Sequence, residues 1–161
     1  MLYKICANLK RDNMGYDVLD IANELLRYDE SMSNGEELMT NLKLQKLLYY
    51  QQGFHLAYFG TPLFAEEIEA WMYGPVIPFV YDYYRNNGRN GIPADKERKF
   101  HFENKKEEAL FDEVCKVYGK YSAFGLMQMT HNEIPWKSTP VGEGHVISKE
   151  KMKDFFKKRL K

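Results

Sequence analysis

The sequence predicts a predominantly α-helical α+β domain, a compact helical fold wrapped around one buried central helix with a small β element of two or three strands. Three observations lead there. Residues 42–59 are apolar around most of a helical circumference, and such a helix belongs inside a fold rather than on its surface. Four further segments open on a residue suited to capping (Asp17, Asn104, Ser122, Ser148) and then repeat apolar residues at helical spacing. One stretch, Glu66 to Tyr73, alternates with period two and reads as a strand.

The central helix carries Leu44, Leu47, Leu48, Gln51, His55, Tyr58 and Phe59 on one face, widened by Tyr50, Phe54 and Ala57. Only a narrow polar strip is expected, at Lys43, Lys46 and Gln52. Thr40 or Asn41 can cap its start, and Gly60 followed by Pro62 stops it. At about 1.5 Å per residue it spans roughly 27 Å.

The 161 residues predict one domain over 1–161, with residues 1–15 as a weakly patterned N-terminal extension. There Leu2, Ile5 and Leu9 fit a short helical turn or an edge strand. A helix is expected from the Asp17 cap to about Tyr28, with Tyr16 stapled on Ile21. A polar loop, Asp29 to Met39, leads to the central helix. Leu63 and Phe64 are expected as buried loop anchors. Gly74-Pro75 ends the strand, and Pro78 starts a short helix to Arg85. Residues 89–98 read as loop, and Lys99 to Phe102 as a second strand pairing with 67–72. The Asn104 helix carries Leu110, Phe111, Val114, Val117 and Tyr118 as its core face. Asn104 and Glu107 form a capping-box variant, and Gly119 serves as C′. A helix from Ser122 ends near Thr130, and a loop containing Pro135 and Trp136 runs through Gly144. Ser148 caps the last helix, which has Met152, Phe155, Phe156 and Leu160 on its apolar side and many lysines toward its end.

Composition narrows the function. Lys+Arg and Asp+Glu are both 23, which speaks against a dedicated nucleic-acid reader. Cys6 and Cys115 match no disulfide or metal spacing. Neither a signal peptide nor a membrane-spanning run is present in the sequence, so a soluble, cytoplasmic protein is expected. P-loop, nucleophile-elbow and zinc-helix motifs are absent. His131 with Glu133 is the one acid–base candidate, but a turn with Asn132 as a local cap explains that segment as well. His55 reads as a satisfied core histidine, and Glu67 and Glu69 as a solvated strand face. The helices 104–118 and 122–130 have a helix-turn-helix outline, yet the second offers only Gln128 to a base edge. The basic last helix reads as a solvated face or as a surface for an acidic partner or RNA. Trp71, Tyr73, Pro75 and Trp136 are large or rigid groups at turns. Tryptophan and tyrosine make efficient interface anchors, so these four are the partner-binding candidates.

A longer pattern runs through these residues. It starts with Leu44-Gln45-Lys46-Leu47-Leu48-Tyr49-Tyr50, Gly53 and His55-Leu56-Ala57. It continues with Pro62-Leu63-Phe64 and Glu69-Ala70-Trp71-Met72-Tyr73-Gly74-Pro75-Val76-Ile77-Pro78. In this order and spacing these resemble the Panacea domain family, which includes SocA-like antitoxins and phage-associated GepA-like proteins. Thr130 to Trp136 is similar to the family's second signature, and so is the closing helix from Ile147 with Phe155-Phe156. The resemblance covers the chain from residue 16 onward. It implies a helical antitoxin that neutralises a protein toxin encoded beside it by direct protein contact. It also implies, by analogy with SocA-like adaptors, a bacterial protease as a further partner. The family offers no catalytic residues, cofactor or metal to carry over, so an enzyme is not expected. The alternatives are a DNA-binding regulator of a phage or mobile-element operon, and an aromatic face that closes a homodimer.

Overall fold

The computed structural model describes residues 15–160. The expected turn or strand at Leu2, Ile5 and Leu9, and Cys6, lie outside them. Among the described residues there are seven α-helices and one two-stranded antiparallel sheet, so the fold is predominantly α with a small β element. Helix α1 spans Val18–Ser33, α2 Asn41–Phe59, α3 Pro78–Tyr83, α4 Lys105–Tyr118, α5 Ala123–His131, α6 Ile134–Lys137 and α7 Lys149–Lys157. Strands β1, Glu69–Trp71, and β2, Gly74–Val76, lie between α2 and α3. No helix among the described residues is long and apolar enough to cross a membrane.

Helix α2 is the centre, and it packs against α1, α3, α4, α5, α7 and β2. The Thr40 hydroxyl accepts from the Lys43 N–H, and Gly60 closes the helix at φ 77°, its N–H on the Leu56 carbonyl at 2.9 Å. The expected polar strip does not reach solvent. Lys46 and Gln52 are buried together with Gln45 and Gln51, and of the strip only Lys43 stays half-exposed. A polar group inside a core must be hydrogen-bonded, and each of these is. Gln52 accepts from Leu63 N–H at 2.7 Å and donates to the Phe64 carbonyl at 2.8 Å, which pins the buried Leu63-Phe64 anchor to the helix. Gln51 donates to the Phe111 carbonyl of α4 at 3.0 Å.

Several expected elements change. Helix α1 runs past Tyr28 to Ser33, because Asn34 takes the left-handed cap at φ 55°. Tyr16 sits edge-on to Phe100 and Phe102, 5.3 and 5.4 Å away. Residues 99–102 form no strand; their phenylalanines serve this cluster instead. The predicted strand 66–73 shortens to β1, and the Gly74-Pro75 "break" is its partner strand, in register Glu69↔Val76, Ala70↔Pro75, Trp71↔Gly74. The far edge of β1 meets the late loop through Ala70 N–H to His145 O and a Glu69↔Val146 bridge. Helix α3 stops at Tyr83 and a 3-10 turn, Arg85–Asn87, follows. Asn104 caps Lys106 N–H, but Glu107 turns away to His55. Gly119 ends α4 in the right-handed region. Residues 134–137, read as loop, make the short helix α6, with Pro135 in its first turn, where no N–H is needed. Val117, expected in the core face, is 41% exposed.

The densest helix contact is α2 against α7. Gly53 makes room for it: a Cβ there would lie 2.2 Å from the Phe156 ring. Gly53→Ala should therefore destabilise the protein by about 1–3 kcal/mol, although alanine is the better helix former. Urea denaturation tests this, and an unchanged or raised midpoint would refute the packing argument.

Candidate functional site

The hairpin between α2 and α3 turns on Met72 and Tyr73, which are 67% and 60% exposed. Tight turns ordinarily use glycine, asparagine or aspartate. Here Gly74 takes the positive φ, 107°, and two large apolar side chains project into solvent. Beside the tip a groove of about 660 Å³ is walled by Leu42, Trp71, Met72, Tyr73 and Tyr81, with Arg89 at its rim. The Trp71 ring meets Tyr81 edge-on at 5.3 Å. Phe124, one residue beyond the groove-lining Ala123, is 61% exposed.

This face is held rigidly from behind. The Trp71 indole donates to Glu69 Oε1 at 3.0 Å, and Gly144 N–H donates to the same oxygen at 2.7 Å. The Trp136 indole donates to the Trp71 carbonyl at 2.9 Å, and its ring stacks on His131 at 4.1 Å. Below, Lys46 Nζ donates to the Pro75 carbonyl at 3.0 Å, with no part of its side chain exposed. Burial pulls its amine down from the usual lysine range to about 7. Gln45 accepts from Ile77 N–H at 2.9 Å and donates to Asn41 Oδ1 at 2.8 Å, while Asn41 donates to the Tyr81 carbonyl at 3.1 Å. Three polar residues of one helix thus fix the hairpin and α3, and the groove keeps an apolar lining. Gly74 is required here as well, since a Cβ would sit 2.6 Å from Lys46 Cε.

Of the four sequence candidates, Tyr73 is at the surface, Trp71 is half-buried in the groove wall, and Trp136 is half-buried behind it. Pro75 is buried, with its carbonyl on Lys46. The sequence reading overlooked Leu42, Met72, Tyr81 and Arg89 as lining, and Asn41, Gln45 and Lys46 as supports. An asparagine, a glutamine and a lysine within an otherwise apolar helix were the available signal.

The acid–base candidate comes apart. Glu133 is buried and accepts from the Tyr49 hydroxyl at 3.2 Å and the Tyr50 hydroxyl at 3.1 Å. Burial pushes its carboxyl up to about 7, against the two hydroxyls, which favour the ionised form. His131 turns the other way, onto Trp136. His55 has both ring nitrogens engaged, Nδ1 at 2.6 Å from the Thr61 carbonyl and Nε2 at 2.8 Å from Glu107. Glu67 pairs with Lys149 at 3.1 Å. Among the described residues no three His, Cys, Asp or Glu side chains converge in a way that would hold a metal ion.

The family model described as "Antitoxin SocA-like, Panacea domain" matches residues 44–137, from the central helix through α6. Antitoxin SocA of Caulobacter vibrioides (strain NA1000 / CB15N) is 30% identical over 166 residues, which cover 92% of this chain and 87% of that protein. No solved structure matches the chain. By both the matched domain and the breadth of the similarity, the chain belongs to the SocA-like, Panacea-domain antitoxin family.

Proposed function

We propose that this chain is a cytoplasmic antitoxin that neutralises a protein toxin by binding it, with the 72–73 hairpin tip and the adjoining groove as the contact face. The observation that carries the reading is a hairpin tip made of Met72 and Tyr73, held rigid by buried polar contacts and left in solvent. Exposed apolar surface of this kind marks an interaction site. Rigidity matters because a face already in its bound shape loses little conformational entropy on binding. Trp71 and Tyr73 act as contacts in this reading, and Pro75 and Trp136 act as supports. Inhibition works by occlusion, through an interface of about 1,200–2,000 Å² in total. The chain acts by binding, not by catalysis.

The test is co-expression with the toxin gene beside it, scoring growth and co-purification together. Rescue with a stable complex is expected. Tyr73→Ala should weaken that complex by about 2 kcal/mol, roughly thirtyfold, and Met72→Asp should abolish rescue. Neither should lower thermal stability much, because both side chains are mostly in water. Rescue without a complex, or a complex indifferent to both changes, would overturn the reading.

A further inference from the structure

We propose that the groove between α4 and the end of α7 is a second docking surface, which takes an acidic amphipathic helix of a protein partner. The groove, about 740 Å³, is separate from the hairpin face and shares no lining residue with it. Its floor is an apolar stripe on α4, Leu110, Val114 and Val117, completed by Phe54, Tyr118 and Leu160. The α4 residues recur at steps of four and three, the spacing with which one helix meets another. Val117 is 41% exposed and Leu110 half-exposed, so this stripe continues out of the core into solvent.

The charge around it selects the occupant. The chain is neutral as a whole, but residues 149–161 hold seven Lys and Arg against two acidic residues. Lys158 and Arg159 line the groove against a single carboxylate, Glu113, and Lys157 is exposed beside them, so the cations outnumber the carboxylate three to one. None of the three has a carboxylate within ion-pair distance among the described residues. Arg159 is already oriented, its guanidinium 4.3 Å from the centre of the Phe155 ring. An apolar stripe beside unpaired cations matches a helix with leucine-like residues on one face and carboxylates on its flank. A nucleic acid would be met by the cations but would leave the stripe unused. A basic helix would face three cations against one carboxylate and is disfavoured.

The test uses the full chain and two synthetic amphipathic helices that share one leucine face. The first carries glutamate and the second lysine on the polar side. Fluorescence anisotropy should show that the glutamate peptide binds, more weakly as salt rises, and that the lysine peptide does not. Val117→Glu and the pair Lys158→Glu/Arg159→Glu should each weaken binding by roughly tenfold or more. Tyr73→Ala should leave it unchanged. Val117 and both basic side chains face solvent, and thermal melts confirm that the variants fold; if Val117→Glu does not, the charge pair decides. The proposal falls if the glutamate peptide does not bind, or if it binds all variants equally. It also falls if the charge pair abolishes binding of a single-stranded RNA while the peptide is ignored.

Discussion

Stability is expected to pass through a minimum near pH 7, falling from pH 5 and rising again toward pH 9. Two buried groups set the shape. Glu133 titrates at about 7 in the fold against 4.5 for the free side chain, so between these values the folded chain holds a proton that the unfolded chain has lost. Stability therefore falls as pH rises to 7, by about 3 kcal/mol. Lys46 has the opposite sign. Its amine titrates at about 7 in the fold against 10.5 when free, so above pH 7 the unfolded chain holds the extra proton. Its contribution rises by about 2–3 kcal/mol between pH 7 and 9, and by on the order of 4–5 kcal/mol over its whole window. Glu24 and Asp29, both raised by burial, add to the fall on the acid side. Tyr118 and Cys115, raised by burial as well, oppose the rise only above about pH 9. Urea denaturation at pH 5, 7 and 9 measures the curve. Lys46→Met should remove the rise above pH 7, and Glu133→Gln should remove most of the fall below it. A flat profile in the parent protein would mean that Lys46 and Glu133 are solvated far better than their burial implies.

The same lysine marks where sequence reasoning reached and where it stopped. A helix apolar over most of its circumference identified the centre of the fold, and the Asp17, Thr40, Ser122 and Ser148 caps placed four helix starts. Local chemistry fixes such features, so they can be read locally. The fate of Lys46, Gln45 and Gln52 depends on partners 11 to 32 residues away in sequence. Their heads bond carbonyls or N–H groups of residues 63–64 and 75–77, which no helical periodicity can announce. The Gly74-Pro75 pair misled for a related reason. Proline and glycine usually interrupt a strand, but Pro75 lies opposite Ala70, whose N–H points away from β2 to the His145 carbonyl, so this pair asks for no N–H from Pro75. The aromatic residues at turns did point to the hairpin. They did not separate Tyr73 at the surface from Pro75 beneath it, since that depends on which side of the hairpin faces α2. The pairing of His131 with Glu133 failed for want of the same information, the direction of each side chain at the end of α5.

Phe156→Ala should be the most damaging single truncation, costing about 3–5 kcal/mol. Phe156 is fully buried, and its ring lies 4.8 Å from Phe54, 5.0 Å from Phe155, 5.5 Å from Tyr49 and 5.9 Å from Tyr50. Removing it empties the contact between α2 and α7 and takes away several edge-to-face partners at once. Against a typical total of about 5–15 kcal/mol, that is a large share of the stability of the fold. The denaturation midpoint should drop accordingly, and a loss under about 1 kcal/mol would mean that α7 is not docked as described. Gly53 gives a sharper form of the test. The alanine Cβ that collides with the Phe156 ring in the parent would project into the space that Phe156→Ala leaves empty. Gly53→Ala should then be neutral or stabilising in the Phe156→Ala background, by up to about 1 kcal/mol from helix propensity. Coupling of roughly 1–3 kcal/mol in a double-mutant cycle is the signature of direct contact. Additive losses would instead show that Gly53 serves α2 for some reason other than the seat of Phe156.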